Sequence, residues 1–445
     1  MSAVVGAVFL LLVVAAICFI PARPSIAIGL LITLYGVEQM LMAHLPFMIP
    51  YSALYNFTVG GAGVVAIVSA FYRFGAPKTP APYITLVGLF FAYTCASFLW
   101  TDAPITAREW LTHFVAEVPL CVLVPIFALR RYEDFNAPIR FVLAVSALVS
   151  LTLLVNPGFA FGGRTYLVGM ATVLSPAEMT GAALVLLTAL DRRVLGFFAK
   201  IRIPMAVIMA LALYRSGARG QFLLALALPA FLYLSKRFTT GLTTAASTVL
   251  AIAVAAIIGL AVVALDADLP TLQIQERYSA ESLGEGMQMR LHFIEKSLSG
   301  ENPLFGHGVA GWSFMHNHSD LVSKLDRGRI TYPHNSLAHV YFELGFVGLI
   351  LFASIIAVSL LQARTLLRST PRDHVAHRIA GALLLYFLFS FGLSLKQNTY
   401  LAILGFYLSA SMITVLMVLV RQESRQVVLG TGNRRIQSRA IGQHV

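Results

Sequence analysis

The chain has 445 residues, of which 58% are hydrophobic and only 12% are charged. A soluble protein of this length needs far more charge to cover its surface, so the composition excludes that class and indicates a membrane protein. The net charge of +12 lies mostly in short loops, which argues against nucleic acid as a partner. Barrel-type strand alternation is absent, so the apolar runs predict helices.

Apolar runs close to the length of a membrane crossing recur along almost the whole chain. They predict an all-α polytopic integral membrane protein with about 12–13 transmembrane helices. The first run has no basic residues before it, and we interpret it as a retained span rather than a cleaved signal peptide. Two short runs, 201–214 and 219–235, are expected to be tilted or broken around a water-filled cavity. The predicted spans lie near 2–20, 25–47, 53–72, 83–100, 110–129, 137–155, 165–190, 201–214, 219–235, 240–265, 337–362, 378–395 and 399–420.

The basic residues of the short loops predict the orientation. Twenty-one of them, including those of the C-terminal tail, fall on one side of the predicted spans. Only five fall on the other side: Arg108, Arg164, Arg215, Arg219 and Lys396. Because basic loops stay in the cytoplasm, the tail is expected to be cytoplasmic and the sparse side periplasmic, together with the N-terminus. This arrangement is that of a multi-pass protein of a bacterial inner membrane.

One long hydrophilic segment, residues 266–336, falls on the expected periplasmic side. It contains nine acidic and six basic residues, and Met287, Leu291, Ile294 and Leu298 recur in it at helical spacing. This spacing predicts a short helix against the membrane surface, and a loop of this length is more often functional than idle. The chain is thereby divided into an N-terminal bundle 1–265, a periplasmic loop 266–336 with catalytic elements, C-terminal helices 337–420 and a basic tail 421–445.

The end of this loop carries the sequence Tyr332-Pro333-His334-Asn335-Ser336. An imidazole at the membrane boundary can take a proton from a hydroxyl, because its pKa lies near neutrality. His334 is therefore the candidate catalytic residue, with Tyr332 and Asn335 as secondary candidates. The alternative is that His334 only caps a helix or packs at the interface. His339, one turn further on, is expected to tolerate replacement.

Arginines are the candidate anion-binding residues. Arg219 lies in a tight turn, Ser216-Gly217-Ala218-Arg219-Gly220, between the two short spans. Its guanidinium suits phosphate oxygens through a bidentate fork, whereas the alternative is snorkelling to lipid headgroups. That alternative applies more strongly to Arg215 and Arg164. Arg290, on the predicted surface helix, is a weak candidate by itself.

Two further groups of residues were weighed as sites. Three histidines, His307, His316 and His318, lie near the loop Pro303–Gly308 and Trp312, but their spacing fits no helical ligand pair and no cysteine is near. The sequence therefore predicts no metal site and no cofactor, and Trp312 is kept as a secondary candidate. Acidic residues inside spans are functional hypotheses by default. They are Glu38, Glu117 and Glu178, of which Glu178 is a secondary site candidate.

The order of these motifs resembles that of the O-antigen ligase and O-antigen polymerase superfamily of bacterial envelope glycosyltransferases. The resemblance covers about residues 150–400 and rests on the turn at 216–220, Arg290, Pro-Leu-Phe-Gly-x-Gly at 303–308, and His334-Asn335 followed by Gly345. Two positions depart from the family pattern. The turn is Ser-Gly-Ala-Arg-Gly instead of Ser-Arg-Gly, and His307 replaces a small apolar residue.

The resemblance implies an inverting, metal-independent transferase that moves a glycan from undecaprenyl pyrophosphate to a sugar hydroxyl at the periplasmic face. Arg219 and Arg290, with Arg215 as the alternative to Arg219, would bind the pyrophosphate, and His334 would accept the proton. The favoured prediction is an O-antigen ligase of lipopolysaccharide biosynthesis, with lipid A–core oligosaccharide as acceptor and membrane lipids around it. The alternatives are a polymerase that uses a second lipid-linked glycan as acceptor, and a transporter of lipid-linked sugars.

Overall fold

The computed structural model describes residues 2–77, 81–155, 159–161, 164–166, 174–237, 280–300, 302–317, 332–396 and 399–441. Apart from one short hairpin, the regular structure of this part of the chain is helical. The α-helices are α1 (Ser2–Phe19), α2 (Ile26–His44), α3 (Ser52–Phe74), α4 (Ala81–Ala96), α5 (Pro104–Ala128), α6 (Asn136–Val155), α7 (Leu174–Ala189), α8 (Arg192–Leu195), α9 (Arg202–Arg215), α10 (Arg219–Arg237), α11 (Ala280–Leu298), α12 (Gly311–Asn317), α13 (Ser336–Ser369), α14 (Val375–Ser394) and α15 (Leu404–Ile441). Single 3₁₀ turns lie at Pro46–Tyr51, Ser97–Trp100, Tyr132–Phe135 and Gly196–Ala199.

The helices confirm the prediction of an all-α polytopic membrane protein. Eight helical segments in the described residues are long and apolar enough to cross a membrane, and a ninth is added if Arg192–Ala199 and Arg202–Arg215, which meet at 77°, form one broken span. Shorter apolar helices cover Ala3–Phe19 and Leu174–Ala189. Every predicted span except 240–265, which lies outside the described residues, contains an α-helix.

The predicted span 165–190 begins too early. Its first residues belong to a strand, β2 (Arg164–Tyr166), which pairs antiparallel with β1 (Phe159–Phe161), and the helix starts only at Leu174. The two strand sequences are separated by Gly162-Gly163, a dipeptide typical of tight hairpin connections. Hydropathy alone could not detect this hairpin, because its aromatic residues are as apolar as those of a span.

Helices α2 and α7 form the centre of the bundle. Helix α2 packs against α1, α3, α5, α6 and α7, while α7 also packs against α9, α10 and α14. Small residues allow the close approach: Gly36 of α2 lies against Met179, and Gly181 of α7 lies against Phe389. Helices without side-chain bulk at their crossing bring their backbones close together, which strengthens dispersion contacts within a bundle.

Two of the intramembrane acids are hydrogen-bonded between these central helices. The Tyr35 hydroxyl donates to Glu117 Oε1 over 2.6 Å, and Asn56 Nδ2 donates to Glu38 Oε1 over 3.2 Å. Both carboxyl side chains are buried. Because a buried polar group is costly unless it is paired, these contacts account for Glu38 and Glu117 as links between α2, α3 and α5.

Helix α13 carries the polar end of the molecule. It packs against α4, α14 and α15 along its length, and α11 and α12 lie against it. The helix is interrupted at Gly345, where the backbone has φ 63° and ψ −165°. The short segment before this kink is therefore set at its own angle, and the candidate site is built around it.

Candidate active site

The candidate histidine lies just before α13 and has an uncommon backbone conformation. His334 has φ 54°, in the left-handed region that side chains other than glycine rarely adopt. The next residue, Asn335, caps the helix: its Oδ1 accepts a hydrogen bond from the Ala338 amide over 3.0 Å. Strained residues of this kind persist where the surroundings hold them, and they cluster at functional sites.

The loop at 302–308 docks onto the kink of α13 through close backbone contacts. Gly308 N donates to Glu343 O over 2.8 Å, and Phe346 N donates to Pro303 O over 2.8 Å. Gly306 and Gly345 both have positive φ. A Cβ on Gly306 would lie 2.4 Å from Glu343 O, and one on Gly345 would lie 2.3 Å from Leu304 O. Only glycine permits this approach, which explains why the two glycine motifs occur together.

An aromatic cluster, formed by Phe293, Trp312, Tyr332, Phe342 and His334, connects the surface helix to α13. The His334 ring lies 4.6 Å from that of Tyr332 and 6.3 Å from that of Phe293, measured between centroids. Trp312, fully buried, meets Phe293 edge-on at 6.2 Å and Phe342 edge-on at 5.1 Å. These contacts fix the imidazole between α11 and the start of α13, so it is positioned rather than free to rotate.

A fully buried polar network lies directly behind the aromatic cluster. Glu343 Oε2 accepts from the Tyr400 hydroxyl over 2.9 Å, and its Oε1 accepts from Trp312 N over 3.4 Å. His339 Nε2 lies 3.0 Å from Glu343 Oε1, with both side chains fully buried. Burial and the adjacent Glu343 carboxylate raise the pKa of the Tyr400 hydroxyl well above its ordinary value, so it remains a proton donor.

The expectation that His339 tolerates replacement stays a prediction, but its surroundings argue for a structural role. The side chain is buried against Glu343, and its ring lies 5.1 Å from that of Tyr400. Removing the imidazole would leave a cavity and an uncompensated carboxylate, both of which are destabilising.

Lys396 links the turn that contains Arg219 to the region around His334. Lys396 packs so closely on Gly220 that a Cβ there would collide with the ammonium group. The preceding carbonyl, of Leu395, accepts a hydrogen bond from Asn335 Nδ2 over 3.3 Å. Arg219 is half-buried at the start of α10. Lys396 therefore lies between the turn of Arg219 and the residue next to His334.

The other predicted arginine, Arg290, lies on a different helix, α11. Arg290 is half-buried on α11, one turn before Phe293, whose ring contacts that of His334. The alternative arginine, Arg215, is used differently, because its Nη1 donates to Leu154 O over 2.8 Å and joins the ends of α9 and α6. Arg290 therefore lies on the helix whose Phe293 contacts the His334 ring, while Leu395 and Lys396 link Asn335 to the turn of Arg219.

The remaining secondary candidates lie elsewhere or outside the described residues. Glu178, on the second turn of α7, lies near enough to Tyr386 of α14 for an electrostatic interaction. Arg164 lies on β2, opposite Phe161. His318 lies outside the described residues. His316 stacks on Trp312 with a centroid distance of 3.9 Å. Among the described residues, no three His, Cys, Asp or Glu side chains are grouped to hold a metal.

Sequence reasoning missed four contributors: Phe293, Glu343, Tyr400 and Lys396. A signal existed for Glu343, because it stands four residues after His339 and so on the same face of the helix. Lys396 was recognised only as a topology marker. Phe293 and Tyr400 carry no signal in a single sequence, since aromatic residues are frequent throughout this chain.

The fold and this site define a multi-pass membrane protein with a polar centre at one end of its helices. Basic, histidine and aromatic side chains from separate segments form that centre. Residues 204–353 match the family model described as O-antigen ligase. The match covers about a third of the chain and includes the turn of Arg219, Arg290, the 302–308 loop and His334. No curated protein matches the chain.

The family match confirms the resemblance that the motifs indicated. Members of this superfamily are glycosyltransferase-like ligases and polymerases of lipopolysaccharide biosynthesis that act on lipid-linked glycans in the membrane.

Proposed function

We propose that the protein is an O-antigen ligase. It transfers polysaccharide from undecaprenyl pyrophosphate to a sugar hydroxyl of lipid A–core oligosaccharide, at the periplasmic face of the bacterial inner membrane. One observation carries the proposal furthest: His334 is held in a left-handed conformation between the helix of Arg290 and the segment that packs on the turn of Arg219. A strained histidine between two sets of basic residues suits a reaction that releases an anion and a proton.

The proposed reaction is a single displacement. The acceptor hydroxyl oxygen attacks the anomeric carbon, and the bond from that carbon to the pyrophosphate oxygen breaks on the opposite face, which inverts the configuration. The electron pair of that bond leaves with the pyrophosphate, whose growing charge Arg219 and Arg290 stabilise through bidentate hydrogen bonds. His334 takes the proton of the hydroxyl and later releases it to water. The residues named supply the charge stabilisation and the proton transfer, so no cofactor is invoked.

A polymerase of the same superfamily remains the alternative, because the donor half of the reaction is the same. The acceptor distinguishes the two enzymes. Purified protein should transfer labelled polysaccharide from its lipid pyrophosphate to lipid A–core, and a deletion strain should accumulate full-length, unligated polymer. Transfer only to a second lipid-linked glycan, with loss of chain length in the deletion strain, would show a polymerase instead.

The proposed orientation can be tested independently of activity. A reporter fused after Gln422 should lie in the cytoplasm, and one inserted after Asp320 should lie in the periplasm, because of the uneven distribution of short-loop bases. If both reporters were found on one side, the topology and the periplasmic site would have to be abandoned.

A transporter of lipid-linked sugars is the alternative from a different class. It predicts charged groups along a path through the middle of several spans. In the described residues, the carboxyl groups of Glu38 and Glu117 are instead joined to Asn56 and Tyr35 between packed helices. Transfer of glycan in detergent solution, where no second compartment exists, would support the enzyme.

A further inference from the structure

A cavity of about 510 Å³ lies beside the aromatic cluster and has no part in the reaction described above. Its lining consists of Trp100, Asp102, Asn302, Phe305, Gly306 and His307. Asp102 and Asn302 are exposed, and Phe305 is 49% exposed, so the cavity is reached from the surface. Its volume lies within the usual range for small-molecule sites.

The two walls of the cavity are fixed to one another. One wall follows α4, and the other is the 302–308 loop. Val309 N donates to Ser97 Oγ over 3.1 Å, and Thr101 Oγ1 donates to Val309 O over 2.6 Å. A Cβ on Gly308 would lie 2.7 Å from Ser97 O, so the backbones are in direct contact. The cavity is therefore pre-formed, which lowers the entropic cost of binding a ligand.

The lining selects a neutral, polyhydroxylated ligand. Its described residues include no lysine or arginine, so it does not suit pyrophosphate. Trp100, Phe305 and His307 offer ring faces for the apolar C–H side of a sugar, while Asp102 and Asn302 offer oxygens to its hydroxyls.

The cavity is connected to the reaction centre by stacked rings. The His307 ring lies 4.6 Å from that of Phe342, which meets Trp312 of the aromatic cluster.

We propose that this cavity is a glycan subsite that binds a sugar unit remote from the bond being formed, with His307 and Asp102 as specificity-determining residues. The proposal rests on the proposed glycan transfer. Because lipid and pyrophosphate bind elsewhere, the subsite should recognise the sugar part of a substrate alone. It should also bind when the reaction itself has been disabled.

The experiment measures binding of two free oligosaccharides, one from the polysaccharide and one from the lipopolysaccharide core, both without lipid and pyrophosphate. Full-length His334→Ala protein in detergent serves as the receptor, in calorimetric titrations. Asp102→Asn and His307→Ala should each weaken binding of one oligosaccharide by roughly tenfold, as expected for loss of a charged hydrogen bond or a ring contact. Glu109→Gln makes the same change of charge at an exposed position of α5 and should have no effect.

Kinetics on the active enzyme separate the outcomes. The same two substitutions should raise KM for the donor or for the acceptor by a similar factor, with kcat unchanged, and the affected substrate identifies which glycan occupies the cavity. Unchanged binding and KM in both variants, or no oligosaccharide binding by the parent protein, would overturn the subsite. Cavity-dependent binding in a protein that transfers nothing would instead refute the proposed ligase while supporting the subsite.

Discussion

His334→Gly separates stability from activity at the candidate catalytic residue. The left-handed conformation of His334, with φ 54°, costs a residue other than glycine about 1–2 kcal/mol. Glycine relieves that strain, but its greater conformational freedom in the unfolded chain lowers the stability of the folded protein by about 0.5–1 kcal/mol. Loss of the contact between the His334 and Tyr332 rings, whose centroids are 4.6 Å apart, lowers the stability by about another 0.5–1 kcal/mol. The free energy of unfolding should therefore change by less than about 1 kcal/mol, whereas turnover should fall by about 10²–10⁴.

The assay measures thermal unfolding, donor affinity and the rate of glycan transfer on the same preparation. Donor affinity should be nearly unchanged, because the arginines carry the pyrophosphate. Ala310→Gly is the matched control: Ala310, with φ 64°, is the other residue besides glycine with positive φ in the described part of the chain. It should gain stability and keep full activity. If His334→Gly transferred glycan at nearly the parental rate, His334 would be a structural residue and the proton-transfer role would have to be given up.

Three further outcomes are expected. Arg219→Ala and Arg290→Ala should abolish transfer while the protein still inserts into the membrane. Lysine should restore little activity at either position, because it lacks the planar fork of the guanidinium. Full activity of Arg290→Lys would refute bidentate binding and show that a general positive charge suffices. Glu343→Ala should lower the free energy of unfolding by about 3–5 kcal/mol, because it leaves its buried partners unpaired. The control, Glu295→Ala on the exposed face of α11, should lower it by almost nothing. Equal stabilities of the two variants would disprove the network. Transfer should continue in EDTA, and activity restored only by a divalent cation would reinstate a metal site.

Hydropathy predicted the helices well because each span must satisfy its backbone hydrogen bonds internally, so length and composition suffice to recognise it. The joint site of His334 and Arg290 and the catalytic role of the loop 266–336 stay predictions. The motifs gave no sign of the buried network, whose residues Glu343 and Tyr400 lie after that loop. A polar network inside a bundle has no hydropathy signal of its own.

His339 shows most clearly why single residues resist prediction from sequence. Its place one turn into the predicted span does not show whether it is buried, because exposure depends on which helices cover that face. Trp110 of α5 and Tyr400 cover it here, with ring centroids 6.1 Å and 5.1 Å from the imidazole. Both partners are far away in the chain, so only the folded structure could reveal that His339 is buried.

The backbone junction between Gly306 and Gly345 ties the cavity to the reaction centre. The loop that ends in His307 hydrogen-bonds to the carbonyls of Phe342 and Glu343, and neither glycine has room for a Cβ. A shift of the loop would therefore displace both the cavity wall and the carboxylate behind the aromatic cluster. Because close-packed interiors transmit such displacements rather than absorbing them, a glycan bound in the proposed subsite would keep a fixed distance from His334. The proposed transfer needs such a fixed distance to present one particular hydroxyl, or one particular anomeric carbon, to the same histidine in every cycle.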